Sequence, residues 1–161
     1  MGQIQFRYNP MKRQFSVMAG IALGTPGRSP KETLGRWLQN EFIFDSGSNR
    51  TTITEPVAEQ LGVRVDQLPL VGVGGITGIA KRPFLAEVDL WFLGDEFRSV
   101  RIEGVTILRT LREKRSRQSS GVRQQTITRM PAPNLLGTDA VEALGGRVTL
   151  DFKNKIGHIE W

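Results

Sequence analysis

Apolar and polar residues alternate along much of the chain. The run QIQFRY puts Ile4, Phe6 and Tyr8 on one side, and FSVMAGIAL does the same with Phe15, Val17, Ala19, Ile21 and Leu23. In FLAEVDLWF, residues Phe84, Ala86, Val88, Leu90 and Phe92 share a face, with Glu87 and Asp89 opposite. A period of two marks strands with one buried and one solvated face, the habit of antiparallel sheets. LGDE, residues 93–96, is expected as the turn between that strand and FRSVRIEGVTIL.

Two short segments read as helices. TEPVAEQLG, from Thr54, has a capping residue, then Glu55 and Pro56 in the first turn, and ends on Gly62, suited to a left-handed residue. TDAVEALGG repeats the recipe with Thr138 as cap, Asp139 in the first turn and Gly145 at the end. Each helix follows an apolar strand, so the chain reads as an internal repeat, two halves of one β-domain. The stretch Pro26–Asn40 is a long connection with a helical turn expected near Trp37. Pro131 and Pro133 impose an extended approach to NLLG. The expectation is a single domain over 1–161, with insertions at about 24–40 and about 109–130.

Composition narrows the chemistry. A hydrophobic content of 39% over 161 residues is enough for a core. No apolar run approaches the ~20 residues of a membrane span, and the N-terminal stretch lacks the apolar centre of a secretory signal. These features suggest a soluble, cytoplasmic protein with no transmembrane segment. The absence of cysteine excludes disulfides, thiolate nucleophiles and cysteine-bound metals. A Ser-His-Asp triad would hang on His158, the single histidine, which reads more simply as a polar residue on a terminal strand. Between Arg109 and Arg129 seven basic residues face Glu113 alone, which accounts for the whole net charge of +6. That segment is a solvated loop, a patch for an anionic partner, or a cleavable loop.

The stretch FIFDSGSNRT concentrates the candidate chemistry. Phe42, Ile43 and Phe44 are expected to be mostly buried, and Asp45 ends their strand. A carboxylate there is costly unless hydrogen-bonded or neutralised. Gly47 allows a sharp turn and close approach, and Ser46 and Ser48 add hydroxyls that can orient the carboxylate. The tripeptide alone also fits an ordinary turn. Further on, VGVGGITG, residues 71–78, carries Gly72, Gly74, Gly75 and Gly78. No helical pattern follows it, so a phosphate-binding loop is disfavoured.

Apolar strand, Asp45-Ser46-Gly47-Ser48, helix, glycine-rich hairpin, then Leu135-Leu136-Gly137 and a second helix: this order resembles the retropepsin-like aspartic proteases, from about Phe15 to Trp161 without the insertions. Ser46 stands where the family usually has Thr. The resemblance implies an all-β fold, a closed antiparallel β-barrel with two short α-helices and a flap hairpin. It implies Asp45 as the catalytic acid, with Ser46, Gly47 and Ser48 supporting its loop. Ser46 would reach to the partner loop, and Gly47 N–H and Ser48 would hold the carboxylates coplanar. Val73, Gly74, Gly75 and Ile76 would form the flap over substrate, and Leu135, Leu136 and Gly137 a structural psi-loop.

The implied reaction is hydrolysis of peptide bonds in extended polypeptides, with no metal or other cofactor. The chain has one Asp-Ser/Thr-Gly, so two copies would each lend Asp45 in a homodimer. Retroviral members join both chain ends in a four-stranded sheet; here RVTLDFKNKIGHIEW suggests a hairpin of its own, turning near Asn154. Two other functions fit the same sequence: a non-catalytic peptide-binding or dimerisation module, and a basic β-domain that binds nucleic acid.

Overall fold

The alternating segments close into a barrel. The computed structural model describes residues 1–75, 78–109 and 132–161. Its barrel strands are β3 (Gln14–Leu23), β4 (Leu38–Phe44), β5 (Thr52–Thr54), β7 (Gly78–Leu93), β8 (Phe97–Leu108) and β9 (Asn134–Leu136). They follow the order β3-β4-β9-β5-β8-β7, and β7 pairs back onto β3 from Ala19↔Phe92 to Leu23↔Val88. Closure removes the exposed edges that an open sheet would carry. The pairing is antiparallel except at β4–β9 and β5–β8. Inside lie Ile21, Phe42, Ile53, Val88, Leu90, Phe92, Val105, Ile107 and Leu136, all fully buried.

The helices are α1 (Glu55–Gln60) after β5 and α2 (Thr138–Leu144) after β9. Gly62 and Gly145 take positive φ past their ends, as the sequence suggests. The second cap differs from expectation: Gly137 occupies it and Thr138 is already helical. The two parallel pairings express the internal repeat. The strand before α1 lies beside β8, and the strand before α2 lies beside β4. Each half therefore supplies a helix-bearing strand to the other.

Two small elements flank the barrel. β6 (Leu70–Gly75) pairs only with the start of β7, from Leu70↔Pro83 to Gly75↔Gly78. β2 (Arg7–Asn9) extends the barrel sheet at β3. The chain ends meet separately: β1 (Gln3–Gln5), β11 (Ile156–Glu160) and β10 (Arg147–Asp151) form one sheet in the order β1-β11-β10. The hairpin expected near Asn154 is thus present, and its turn is tied by Asn154 N–H and Nδ2–H to Asp151. These bonds hold the Asp151 carboxyl below its usual range, the main-chain bond most strongly.

The outer face of β3 and β7 departs from simple alternation. Asp89, expected toward solvent, is fully buried. The connection after β3 covers it and forms a 3-10 helix over Pro30–Arg36 before β4 begins at Leu38. The residues 38–40 of the expected insertion are therefore barrel strand. Arg101 holds Asp89 with two bonds, Nε to Oδ1 at 2.7 Å and Nη2 to Oδ2 at 3.0 Å. This contact pushes the guanidinium above its ordinary value. The Thr33 hydroxyl reaches Asp89 Oδ2 at 3.1 Å, and Arg101 Nη1 donates to the Thr25 carbonyl at 3.2 Å. Leu23, expected inside, is 39% exposed at the edge of this cover. No helix among the described residues is long and apolar enough to cross a membrane.

Removing one partner of a buried ion pair strands the other charge. Arg101→Met is expected to cost about 3 kcal/mol in urea unfolding. Adding Asp89→Leu should recover much of that loss; a double variant as unstable as the sum of both singles would contradict this account.

Candidate active site

Asp45 stands where β4 leaves the barrel. Its N–H donates to the Leu136 carbonyl at 3.1 Å, so β9 orients the residue directly. Its Oδ1 accepts the Gly47 N–H at 3.0 Å, and its carbonyl accepts the Ser48 N–H at 3.1 Å. The acid is half-buried and the two residues after it are exposed. Phe42 is fully buried, while Ile43 and Phe44 are only half-buried, because their strand meets open space beside Asp45. That space is a cleft of about 310 Å³, lined on its apolar side by Phe15, Phe44, Leu135, Leu150 and Phe152.

Leu135-Leu136-Gly137 lies where the sequence suggests. β9 runs parallel to β4 with Ile43↔Leu135 and Phe44↔Leu136, and meets β5 at Thr52↔Leu135. It is thus inserted between the strands on either side of the Asp45 loop. Gly137 is required by close approach: a Cβ there would lie 2.7 Å from the Arg50 carbonyl oxygen and from Thr51 N.

Ser48 acts differently from the sequence expectation. Within the chain its hydroxyl donates to the Arg50 carbonyl at 2.6 Å and does not reach the Asp45 carboxylate. Its carbonyl accepts the Thr138 N–H at 2.9 Å, tying the loop to α2. Ser46 is exposed, and its hydroxyl has no hydrogen-bond partner among the described residues.

Three residues that the motif reading passed over complete the support. Asp139 accepts the Thr51 hydroxyl at 2.7 Å and the Thr51 N–H at 3.0 Å. Thr51 Oγ1 in turn accepts the Gly137 N–H at 3.2 Å. Asn134 spans both flanking strands, donating to the Glu41 carbonyl at 3.2 Å and accepting the Thr54 N–H at 3.0 Å. Asp139 was visible as an acid in a first helical turn, but its partner 88 residues away was not.

The β6–β7 hairpin stands out from the barrel. Gly74 and Gly75 are exposed, Val73 is half-buried, and Ile79 is 82% exposed. Of the four glycines in VGVGGITG, only Gly78 has positive φ, at 122°; Gly72, Gly74 and Gly75 sit in a regular ladder. Ile76 lies outside the described residues, as does the basic segment beyond Arg109. Arg109 itself pairs with Asp66 and Glu55, and the Asp66 bond is the main cause raising its guanidinium above the ordinary value.

Gly137→Ala is expected to destabilise the chain by roughly 2 kcal/mol or more, because the neighbour it meets is backbone. A thermal midpoint unchanged from wild type would refute the close approach.

No family model matches the sequence, and no curated protein matches it. Among solved structures, a retropepsin-like aspartic protease from Rickettsia conorii matches at a TM-score of 0.54 and 14% identity. The match covers 98% of this chain and 90% of that one. The likeness spans the barrel, the Asp45 loop and the terminal hairpin together, and this chain has the retropepsin-like fold.

Proposed function

We propose that the protein is an aspartic endopeptidase that acts as a homodimer, with Asp45 of each copy facing the other. The observation that carries this reading is the setting of Asp45. It is half-buried at the mouth of an apolar cleft, fixed by backbone bonds to β9 and Gly47, on a retropepsin-like fold. A carboxylate held that firmly beside open space suits chemistry better than packing. The unpaired Ser46 hydroxyl beside it is available to a second loop.

Two carboxylates about 3 Å apart cannot both ionise, so the pair holds one proton between them. One then acts as general base on a water and the other as general acid toward the peptide carbonyl. The substrate is an extended polypeptide lying between the paired loops and the β6–β7 hairpins. Main-chain groups around Val73, Gly74 and Gly75 would add it as a strand, and hairpin closure would exclude water. Ile76, outside the described residues, is assigned to substrate contact by the family resemblance alone. Ser48 supports the loop through Arg50 and Thr138.

Asp45→Asn should lower cleavage of a peptide library by at least about a hundredfold across acidic and neutral pH. The variant should sediment as wild type and keep its circular dichroism. Equal cleavage by both proteins, or a wild type that remains a single chain with peptide bound, overturns the reading.

A further inference from the structure

A second cleft lies away from Asp45. It encloses about 560 Å³ between the connection after β3 and the end of α1. Its apolar lining comes from Leu23, Leu38 and Leu61, and its cations are Arg28 and Arg36. Leu38 opens β4 and Asp45 follows its last residue, which separates the two clefts by about 20 Å along the strand. We propose that this cleft is a docking site for an acidic peptide segment. The inference does not rest on proteolysis.

Three observations carry it. The first is charge left unspent. Among the described residues the side chains of Arg28 and Arg36 have no ion pair or hydrogen bond. The acid between them, Glu32, is engaged by the Ser29 N–H at 2.6 Å in a capping box. Guanidinium groups without an internal acid match carboxylates with two parallel hydrogen bonds.

The second is rigidity. The connection is pinned by Asp89, Arg101, Thr33 and the Thr25 carbonyl. Gly24 adds a bond from its N–H to the Glu87 carbonyl at 2.7 Å. A buried ion pair is seldom more stable than apolar residues of equal volume. What it supplies here is one position for the loop that carries both arginines, and a site held in place before binding loses less on binding.

The third is the mixed lining. Leu23 is 39% exposed, and three leucines share the lining with polar and charged side chains, among them Arg28, Arg36 and Gln60. The cleft suits leucine-like side chains interspersed with carboxylates. Its lining has no aromatic residue on which a nucleic-acid base would stack.

The test is fluorescence anisotropy of a labelled peptide alternating glutamate and leucine, titrated with the full chain. Wild type and Asp45→Asn should bind it alike, and a glutamine-leucine peptide should bind more weakly. Arg28→Glu with Arg36→Glu should lower affinity by roughly tenfold or more, since two exposed attractions become repulsions. Both positions are exposed, and circular dichroism checks that the variant folds. Unchanged affinity in the double variant would place the binding elsewhere, for example on the basic segment, and overturn the proposal. So would absence of binding by wild type, displacement by a single-stranded oligonucleotide in preference to the peptide, or a double variant that changes the sedimenting species. Loss of peptidase activity in Asp45→Asn with peptide binding kept separates this site from the proposed chemistry.

Discussion

The region around Asp45 depends on a three-residue strand inserted between two others. β9 must satisfy its backbone on both sides, and it does so against β4 in parallel and β5 in antiparallel pairing. Asn134 fastens the entry of this wedge with one bond to each side, and Gly137 its exit, where a side chain would strike the Arg50–Thr51 backbone. Thr51 and Asp139 then close a ring of hydrogen bonds from the Asp45 loop to α2. Buried polar groups satisfied this completely hold one geometry, whereas a partly satisfied set would be costly. The acid thus gains a fixed direction from residues up to 94 positions away, none of which needs to touch a substrate.

The opposite end of the same strand carries a different device. There the connection after β3 folds over the outside of the barrel and buries Asp89 with Arg101. The Trp37 ring lies on Gly20, where any side chain would collide with it. The barrel wall is therefore covered on a face that alternation assigns to water. One end of β4 presents a carboxylate and the other an arginine-bearing cleft, with the rigid barrel between them. Function commonly sits on connections that a rigid scaffold positions, and both clefts follow that arrangement.

The terminal sheet constrains how two copies could meet. β1 is already paired with β11 of its own chain, with Gly2 and Trp161 exchanging both backbone bonds at 3.0 Å. β1 thus has one of its edges filled from within the chain. β10 keeps an open edge, and Leu150 and Phe152 beyond it line the Asp45 cleft. Phe152 is 58% exposed against Phe15, with ring centroids 5.1 Å apart. The terminal hairpin thus stands beside Asp45 within the chain.

Local patterns by themselves determined most of the elements. Alternation located β3 and β7, the LGDE turn led on to β8, the glycines after Leu61 and Leu144 marked where two helices end, and the order of Asp45-Ser46-Gly47, glycine-rich hairpin and Leu135-Leu136-Gly137 pointed to the fold. These signals are legible because a strand's period and a left-handed cap are properties of neighbouring residues. Tertiary structure alone decided what lies far apart in sequence and close in space: the burial of Asp89, the exposure of Leu23, the Ser48 hydroxyl turning to Arg50, and Thr51 meeting Asp139. Alternation says that a residue has two sides but not what covers the second one. That depends on where the connection after β3 comes to rest, and its position is set by Asp89 and Arg101, cross-strand partners on β7 and β8 that bond Thr33 and the Thr25 carbonyl.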